Sequence, residues 1–275
     1  MRRGRRLSDK PALYLIGHGT KDSDGAKQFF ETLELSKSLR PDIAVGGGFI
    51  EFAEPSLDDG LEILLRSNPK HVVAVPLVLL GAGHQKDDGP MLLDRARSKY
   101  KNTHFTYARA LGLHPSVLDA VLKSIKQIDS FKLSPTQGIA LIGRGSTDPD
   151  ANSDLYKIAR LIDERLNGSA LVETGFVSLT FPTVTQTLNR LKSLGAKSFV
   201  VTPYFLFKGV LLYRIHHEAL AWAESNDFEV HVSSEIGPDN LIANLIWERY
   251  DEAVSGESLM NCDYCKYRFD LTSLS

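Results

Sequence analysis

The sequence predicts an α/β fold built from two tandem flavodoxin-like lobes, each a parallel sheet with helices on both faces. Short apolar segments alternate with amphipathic segments at the spacing of strands and helices in βαβ units. The pattern then occurs a second time in the same chain, in a repeat of about 125 residues, the ordinary length of one α/β domain. At 43% hydrophobic and 24% charged residues, the 275-residue chain has the composition of a soluble globular protein.

The first half contains four apolar segments that we predict to be strands, each followed by a helical pattern. The predicted strands are 12–17, 43–50, 72–80 and 103–107, and the predicted helices are 26–39, 57–65, 90–100 and 115–128. Residues 72–80 are almost continuously apolar, which is typical of a strand buried on both faces of a parallel sheet. Ser56 precedes the second helix as a predicted cap, and Pro115 opens the fourth helix.

The second half repeats the motifs of the first at nearly constant spacing. Leu15-Ile16-Gly17-His18-Gly19 recurs as Leu141-Ile142-Gly143-Arg144-Gly145, 126 positions later, and two prolines recur 127 positions later as Pro182 and Pro203. We therefore predict lobes at 11–130 and 137–252, related by a pseudo-twofold axis. The cleft between them is the expected place for a small-molecule site.

The two ends of the chain and its net charge limit the classes of partner. Residues 1–10 are predicted to be a mobile basic tail, since no apolar stretch follows the arginines as a secretory signal requires. Residues 253–275 are predicted to be a second tail. The net charge of −2 argues against nucleic acid as a partner, and the longest apolar run is too short for a membrane span. We expect a cytoplasmic protein that contacts neither a membrane nor nucleic acid.

Three side chains with metal-binding chemistry follow three predicted strands of the first lobe. His18 follows the first strand, Glu51 the second and His84 the third. In the strand order 2-1-3-4 these strands are neighbours, so the three side chains would meet at one sheet edge. Two imidazoles and a carboxylate suit a divalent first-row metal ion. The alternative for His18 is a tight turn that carries a polar residue. His71, His104 and His231 lie in predicted strands and are interpreted as structural.

The motifs around these residues resemble the class II tetrapyrrole chelatases, in particular the sirohydrochlorin cobaltochelatase and ferrochelatase group. The resemblance rests on the motifs Leu15-Ile16-Gly17-His18-Gly19-Thr20, Phe52-Ala53-Glu54-Pro55-Ser56 and Gly83-His84-Gln85-Lys86-Asp87-Asp88, and it covers roughly residues 11–250. The duplicated chain is similar to the long form of this family, in which both halves are fused. A histidine-rich stretch present in some long forms is absent from this sequence.

The resemblance implies insertion of a divalent metal into sirohydrochlorin, a tetrapyrrole with eight carboxylates, for the cobalamin pathway. It implies that His18 and His84 bind the metal and accept the pyrrole protons, and that Glu51 assists catalysis as a charge or proton relay. Co²⁺ is favoured as the metal substrate, with Fe²⁺ insertion toward siroheme or Ni²⁺ insertion as alternatives. A non-catalytic metal or tetrapyrrole carrier is a more remote alternative. No phosphate-binding loop motif occurs, so we expect no nucleotide cofactor.

Cations for the substrate carboxylates are predicted in both halves. Arg144 stands in the second half where His18 stands in the first, and a guanidinium suits a propionate or acetate group. Lys86 and Lys208 are weaker candidates of the same kind. The alternative for Arg144 is a structural arginine bonded to neighbouring carbonyls or to Asp148.

The chain contains two cysteines, Cys262 and Cys265, in a Met-x-Cys-x-x-Cys arrangement. This arrangement is similar to a motif that holds an iron–sulfur cluster in some long cobaltochelatases. Two thiolates cannot complete a four-cysteine cluster in one chain, so a cluster would require a homodimer. Zinc bridging, a redox-active dithiol or no function are the alternatives, and the sequence leaves a monomer or a homodimer open.

Overall fold

The computed structural model describes residues 10–81 and 83–256, and for residues 83–88 it describes the backbone alone. Within these residues the chain forms eight strands and eight helices. The strands are β1 (Ala12–Gly17), β2 (Val45–Phe49), β3 (His71–Pro76), β4 (His104–Tyr107), β5 (Gln137–Gly143), β6 (Leu171–Phe176), β7 (Ser198–Pro203) and β8 (Val230–Val232). The helices are α1 (Ser23–Leu39), α2 (Leu57–Leu65), α3 (Gly83–Lys99), α4 (Pro115–Lys126), α5 (Pro149–Arg165), α6 (Val184–Ser193), α7 (Val210–Asn226) and α8 (Asn240–Ser255).

The strands form two separate four-stranded parallel sheets, in the orders β2-β1-β3-β4 and β6-β5-β7-β8. The predicted α/β fold with the flavodoxin-like order is therefore confirmed in both halves. Every residue of the central strands β1 and β5 is buried, as expected for strands covered by helices on both faces. Apolar side chains of the helices complete each core, for example Leu61 and Leu92 on the first sheet and Leu188 and Trp222 on the second.

Several helices, among them α1, α2 and α6, begin at side chains that accept hydrogen bonds from their first backbone N–H groups. The carboxylate of Asp22 accepts hydrogen bonds from Asp24 N and Gly25 N at the start of α1, and Ser56 caps α2 as predicted. Thr183 and Gln186 form a reciprocal capping box at α6. These caps fix the loops that precede the helices, which are the loops at the carboxyl ends of the strands.

One predicted helix start is wrong. The prediction placed the third helix at 90–100, with Pro90 as its first residue. In the structure α3 already begins at Gly83, and Pro90 lies inside it. His84 and Lys86 consequently belong to the first turns of a helix and not to a loop.

The chain divides into two compact units, and the first unit is made of two segments that are separated in sequence by the second unit. The first unit comprises residues 10–112 and 240–256 of the described chain, and the second comprises Leu113–Asp239. Helix α4 follows β4 of the first unit but packs against α5 and β7 of the second. Helix α8 follows β8 of the second unit but packs against α1, β3 and β4 of the first. Sequence order alone assigns each of these helices to the lobe whose fourth strand it follows.

None of the helices in the described part of the chain has the length and the apolar character needed to span a membrane.

Candidate functional site

His18 and Glu51 lie side by side at the carboxyl edge of the first sheet. Strands β1 and β2 pair in parallel with Gly17 opposite Phe49. The pairing continues beyond the strands, because Ile50 N donates to Gly17 O at 2.9 Å and Glu51 N donates to His18 O at 3.0 Å. The backbone ladder therefore fixes the relative position of the two functional side chains.

The imidazole of His18 faces the carboxylate of Glu51. His18 Nε2 lies 3.6 Å from Glu51 Oε1, and both side chains are 37% exposed. Metal–ligand bonds of about 2.1 Å in tetrahedral geometry place two ligand atoms of one ion roughly 3.4 Å apart. The imidazole nitrogen and the carboxylate oxygen are thus within the span of a single ion. The Nε2 atom itself is buried, although the His18 side chain is partly exposed.

The other ring nitrogen of His18 sets its tautomer. His18 Nδ1 lies 3.3 Å from the carbonyl oxygen of Gly19, which can only accept a hydrogen bond. Nδ1 therefore carries the proton in this contact, and the lone pair of the neutral ring is on Nε2. A hydrogen bond of this kind is the usual way in which proteins orient a metal-binding histidine.

The loop after β2 carries an exposed aromatic ring beside His18. Phe52 has a left-handed backbone with φ of 65° and is 56% exposed. Its ring lies 6.4 Å from the His18 ring, centroid to centroid, at an interplanar angle of 30°. The ammonium of Lys21 lies 5.4 Å from the centre of the Phe52 ring. Neither residue was predicted from the sequence, although Phe52 lies within a motif that carried the resemblance and Lys21 directly follows another.

The same edge of the second sheet repeats this backbone with different side chains. Ser178 N donates to Arg144 O at 3.0 Å, as Glu51 N does to His18 O. Leu179 has a φ of 62° and corresponds to Phe52. Arg144 is exposed, and within the described part of the chain its guanidinium has no ion pair or hydrogen bond. The structural alternative for Arg144, a bond to neighbouring carbonyls or to Asp148, is thus not found among these residues.

Several predicted site residues lie outside what the structure describes. The side chains of His84 and Lys86 are not described, although their backbone lies in the first turns of α3, directly after β3. Cys262 and Cys265 lie outside the described residues entirely, so an iron–sulfur cluster there stays a prediction. Lys208 is half-buried in the segment between β7 and α7. Among the described side chains, no group of three His, Cys, Asp or Glu residues is placed to hold a metal ion.

Three of the remaining histidines have structural partners. His71 Nε2 lies 2.9 Å from Thr106 Oγ1, and burial, with a smaller contribution from the charge of His104, lowers the pKa of His71 below its usual value. The His114 side chain accepts a hydrogen bond from Ser116 N and caps α4. His231 lies 2.8 Å from Ser130 Oγ and 2.9 Å from Glu229 Oε1.

The duplicated sheets, with equivalent loops at the carboxyl edge of each, define an α/β protein of the chelatase type. Comparison with known proteins gives the family. The model of the CbiX family matches the chain twice, over residues 12–128 and 138–253. The chain therefore belongs to the CbiX family.

Individual relatives carry chelatase names and cover nearly the whole chain. The sirohydrochlorin cobaltochelatase of Priestia megaterium is 34% identical over 264 residues, covering 94% of this chain and 85% of that protein. The sirohydrochlorin ferrochelatase of Bacillus subtilis is 30% identical over 262 residues, covering 94% of this chain and 98% of that protein. The solved structure of SirB from Bacillus subtilis with Fe³⁺ superimposes with a TM-score of 0.78 at 28% identity, covering 90% and 96% of the two chains.

Proposed function

We propose that this protein is a sirohydrochlorin chelatase that inserts a divalent metal ion, with Co²⁺ favoured, into the macrocycle. The observation that carries the proposal is the His18–Glu51 pair, 3.6 Å apart and fixed by backbone pairing at the sheet edge. The preference for cobalt is supported by the 34% identical cobaltochelatase of Priestia megaterium.

In the proposed reaction the metal ion is a substrate that enters as two pyrrole protons leave. The Nε2 lone pair of His18 would bind the ion, with His84 as the second nitrogen ligand from the start of α3. The Glu51 carboxylate beside Nε2 would offset part of the positive charge of the ion and accept a proton released by the macrocycle. Arg144, Lys86 and Lys208 are proposed to bind substrate carboxylates.

Iron insertion toward siroheme is the second candidate, supported by the ferrochelatase of Bacillus subtilis, which is 30% identical over 94% of this chain. Histidine and carboxylate ligands discriminate poorly between Co²⁺, Fe²⁺ and Ni²⁺, because these ions share ligand preferences. Relative rates with the three ions therefore decide between the candidates.

The test is an anaerobic absorbance assay of sirohydrochlorin metallation with Co²⁺, Fe²⁺ or Ni²⁺, run without nucleotide. We expect multiple turnovers with the unmodified protein and a fall in kcat of roughly 10²- to 10⁴-fold in His18→Ala, the range for loss of an acid–base group. His84→Ala should show a similar fall in kcat. His217→Ala, which removes an exposed histidine of α7, is the matched control and should retain full activity.

Product that never exceeds one equivalent per protein would favour a carrier over a chelatase. Full turnover in His18→Ala would contradict the assignment of the metal site, even if the protein proved to be a chelatase.

A further inference from the structure

Lys21 and Phe52 form a cation–aromatic pair directly beside His18. Lys21 lies in the loop between β1 and α1, one position before the Asp22 cap, and its ammonium stands 5.4 Å from the centre of the Phe52 ring. Thr20 Oγ1 accepts a hydrogen bond from Asp22 N, and the Asp22 carboxylate caps α1, so both flanks of Lys21 are fixed. The pair is thus held in place at the edge where the metal site lies.

The exposure of Phe52 is not explained by the core of the protein. Its ring is 56% exposed and is carried by a left-handed backbone, a conformation that bulky residues adopt only at an energetic cost. Leu179, the corresponding residue of the second unit, is likewise left-handed and 62% exposed. In both units the loop presents a large apolar side chain to solvent, and backbone strain of this kind is concentrated at ligand-binding sites.

The charge of Lys21 is not paired with a carboxylate among the described residues. Within the described residues its ammonium forms no ion pair, and its one contact is the Phe52 ring. A cation near His18 disfavours binding of a metal dication and favours binding of an anion. The corresponding position of the second unit is Thr147, which lacks this charge.

We infer that Lys21 and Phe52 together bind the tetrapyrrole in the reaction proposed above, the ammonium pairing with a peripheral carboxylate and the ring contacting the apolar macrocycle. An extended conjugated ring with carboxylates on its rim offers both chemistries at adjacent positions. The pair is a substrate-recognition element and not part of the metal-binding group. The inference rests on the proposed function for the identity of the ligand.

The test separates tetrapyrrole binding from metal binding and from catalysis. Metal-free sirohydrochlorin is titrated spectroscopically into the full chain and into the variants Lys21→Met and Phe52→Leu. Leucine is the suitable replacement because Leu179 occupies the same backbone conformation in the second unit. Lys27→Met, which removes an exposed lysine of α1, is the matched control.

We expect the Kd for sirohydrochlorin to rise about fivefold in each variant, the change expected for one ion pair or contact of moderate exposure. The KM for sirohydrochlorin should rise by more than kcat falls. The affinity for Co²⁺ alone should stay constant or increase slightly in Lys21→Met, because a repelling charge is removed. Lys27→Met should match the unmodified protein.

The outcomes distinguish this inference from the proposed function. Variants that bind sirohydrochlorin as tightly as the unmodified protein would overturn the inference while leaving the chelatase assignment intact. Variants that lose Co²⁺ affinity and kcat with an unchanged Kd would also overturn it, since the pair would then support His18 and not the substrate. If the unmodified protein binds sirohydrochlorin without metallating it, the chelatase assignment is contradicted. The Kd values of the two variants for sirohydrochlorin still test the inference in that case.

Discussion

Gly19 allows the loop after β1 to pass close to the loop that carries Glu51. Its φ of 93° lies in the left-handed region, and a Cβ at this position would stand 1.7 Å from the carbonyl oxygen of Glu51. Gly145 has the same role in the second unit, with a φ of 88° and a Cβ that would stand 2.0 Å from Ser178 O. Both positions therefore require glycine for backbone reasons, but only Gly19 adjoins the proposed metal-binding residues.

Matched alanine substitutions at these two glycines separate backbone strain from function. Gly19→Ala and Gly145→Ala should each lower the free energy of unfolding by about 1–3 kcal/mol. Each substitution places a Cβ against a carbonyl oxygen at a position with a left-handed backbone. Only Gly19→Ala should also weaken Co²⁺ binding, since it displaces the backbone of Glu51. Urea unfolding and Co²⁺ titration measure the two effects. Equal loss of Co²⁺ affinity in both variants would contradict the placement of the metal site.

Helix α8 is fastened to the first unit by a buried arginine. The Arg249 side chain is 1% exposed and donates hydrogen bonds to Ala110 O at 2.9 Å and Leu111 O at 2.8 Å. It also pairs with Glu252, which in turn pairs with Arg109 at 2.9 Å. Buried charge of this kind is tolerated only when hydrogen bonds satisfy it, so the network specifies where α8 docks.

Removal of the Arg249 guanidinium should be costly for stability. Arg249→Met leaves two buried carbonyls and part of Glu252 without their donor, and we expect a loss of about 3–5 kcal/mol in the free energy of unfolding. Arg214→Met is the control, because Arg214 forms an exposed pair with Glu218 within α7 worth roughly 0.5 kcal/mol or less. Urea denaturation followed by circular dichroism gives both values. Comparable losses in the two variants would show that the buried network contributes little.

At the scale of the whole molecule, duplication has preserved the backbone and changed the chemistry. The loop hydrogen bonds of His18 and Glu51 recur at Arg144 and Ser178 with the same length of 3.0 Å. One unit thus presents a potential metal ligand pair, and the other presents an exposed cation at the same point of the fold. We interpret this difference as a division of roles, with metal handled by the first unit and substrate carboxylate by the second.

The division of roles predicts a selective effect of Arg144→Ala. Loss of one charge-assisted hydrogen bond to a carboxylate, about 1.5 kcal/mol, should raise the KM for sirohydrochlorin by about tenfold. The KM for Co²⁺ should change little. Steady-state kinetics with each substrate varied in turn measure the two constants, and Arg190→Ala on the exposed face of α6 serves as the control. Equal changes in both constants would refute the assigned role.

The sequence by itself determined the fold class and the duplication. It also predicted that His18, Glu51 and His84 meet at one sheet edge, and the structure places His18 beside Glu51. Alternation of apolar and amphipathic segments is a local property of the chain, and each repeated motif is visible without knowledge of contacts. The strand order 2-1-3-4 then places the ends of neighbouring strands together, so residues that directly follow strands can be predicted to meet.

Only the tertiary structure decided which side chains surround that pair and which unit holds each helix. The packing of α4 on the second unit and of α8 on the first depends on contacts between residues far apart in sequence, such as Arg249 with Leu111. The meeting of Lys21 with Phe52 depends on a left-handed residue in one loop and a cap in another. Periodicity and motif spacing report on neighbours along the chain, whereas these arrangements are set by long-range packing.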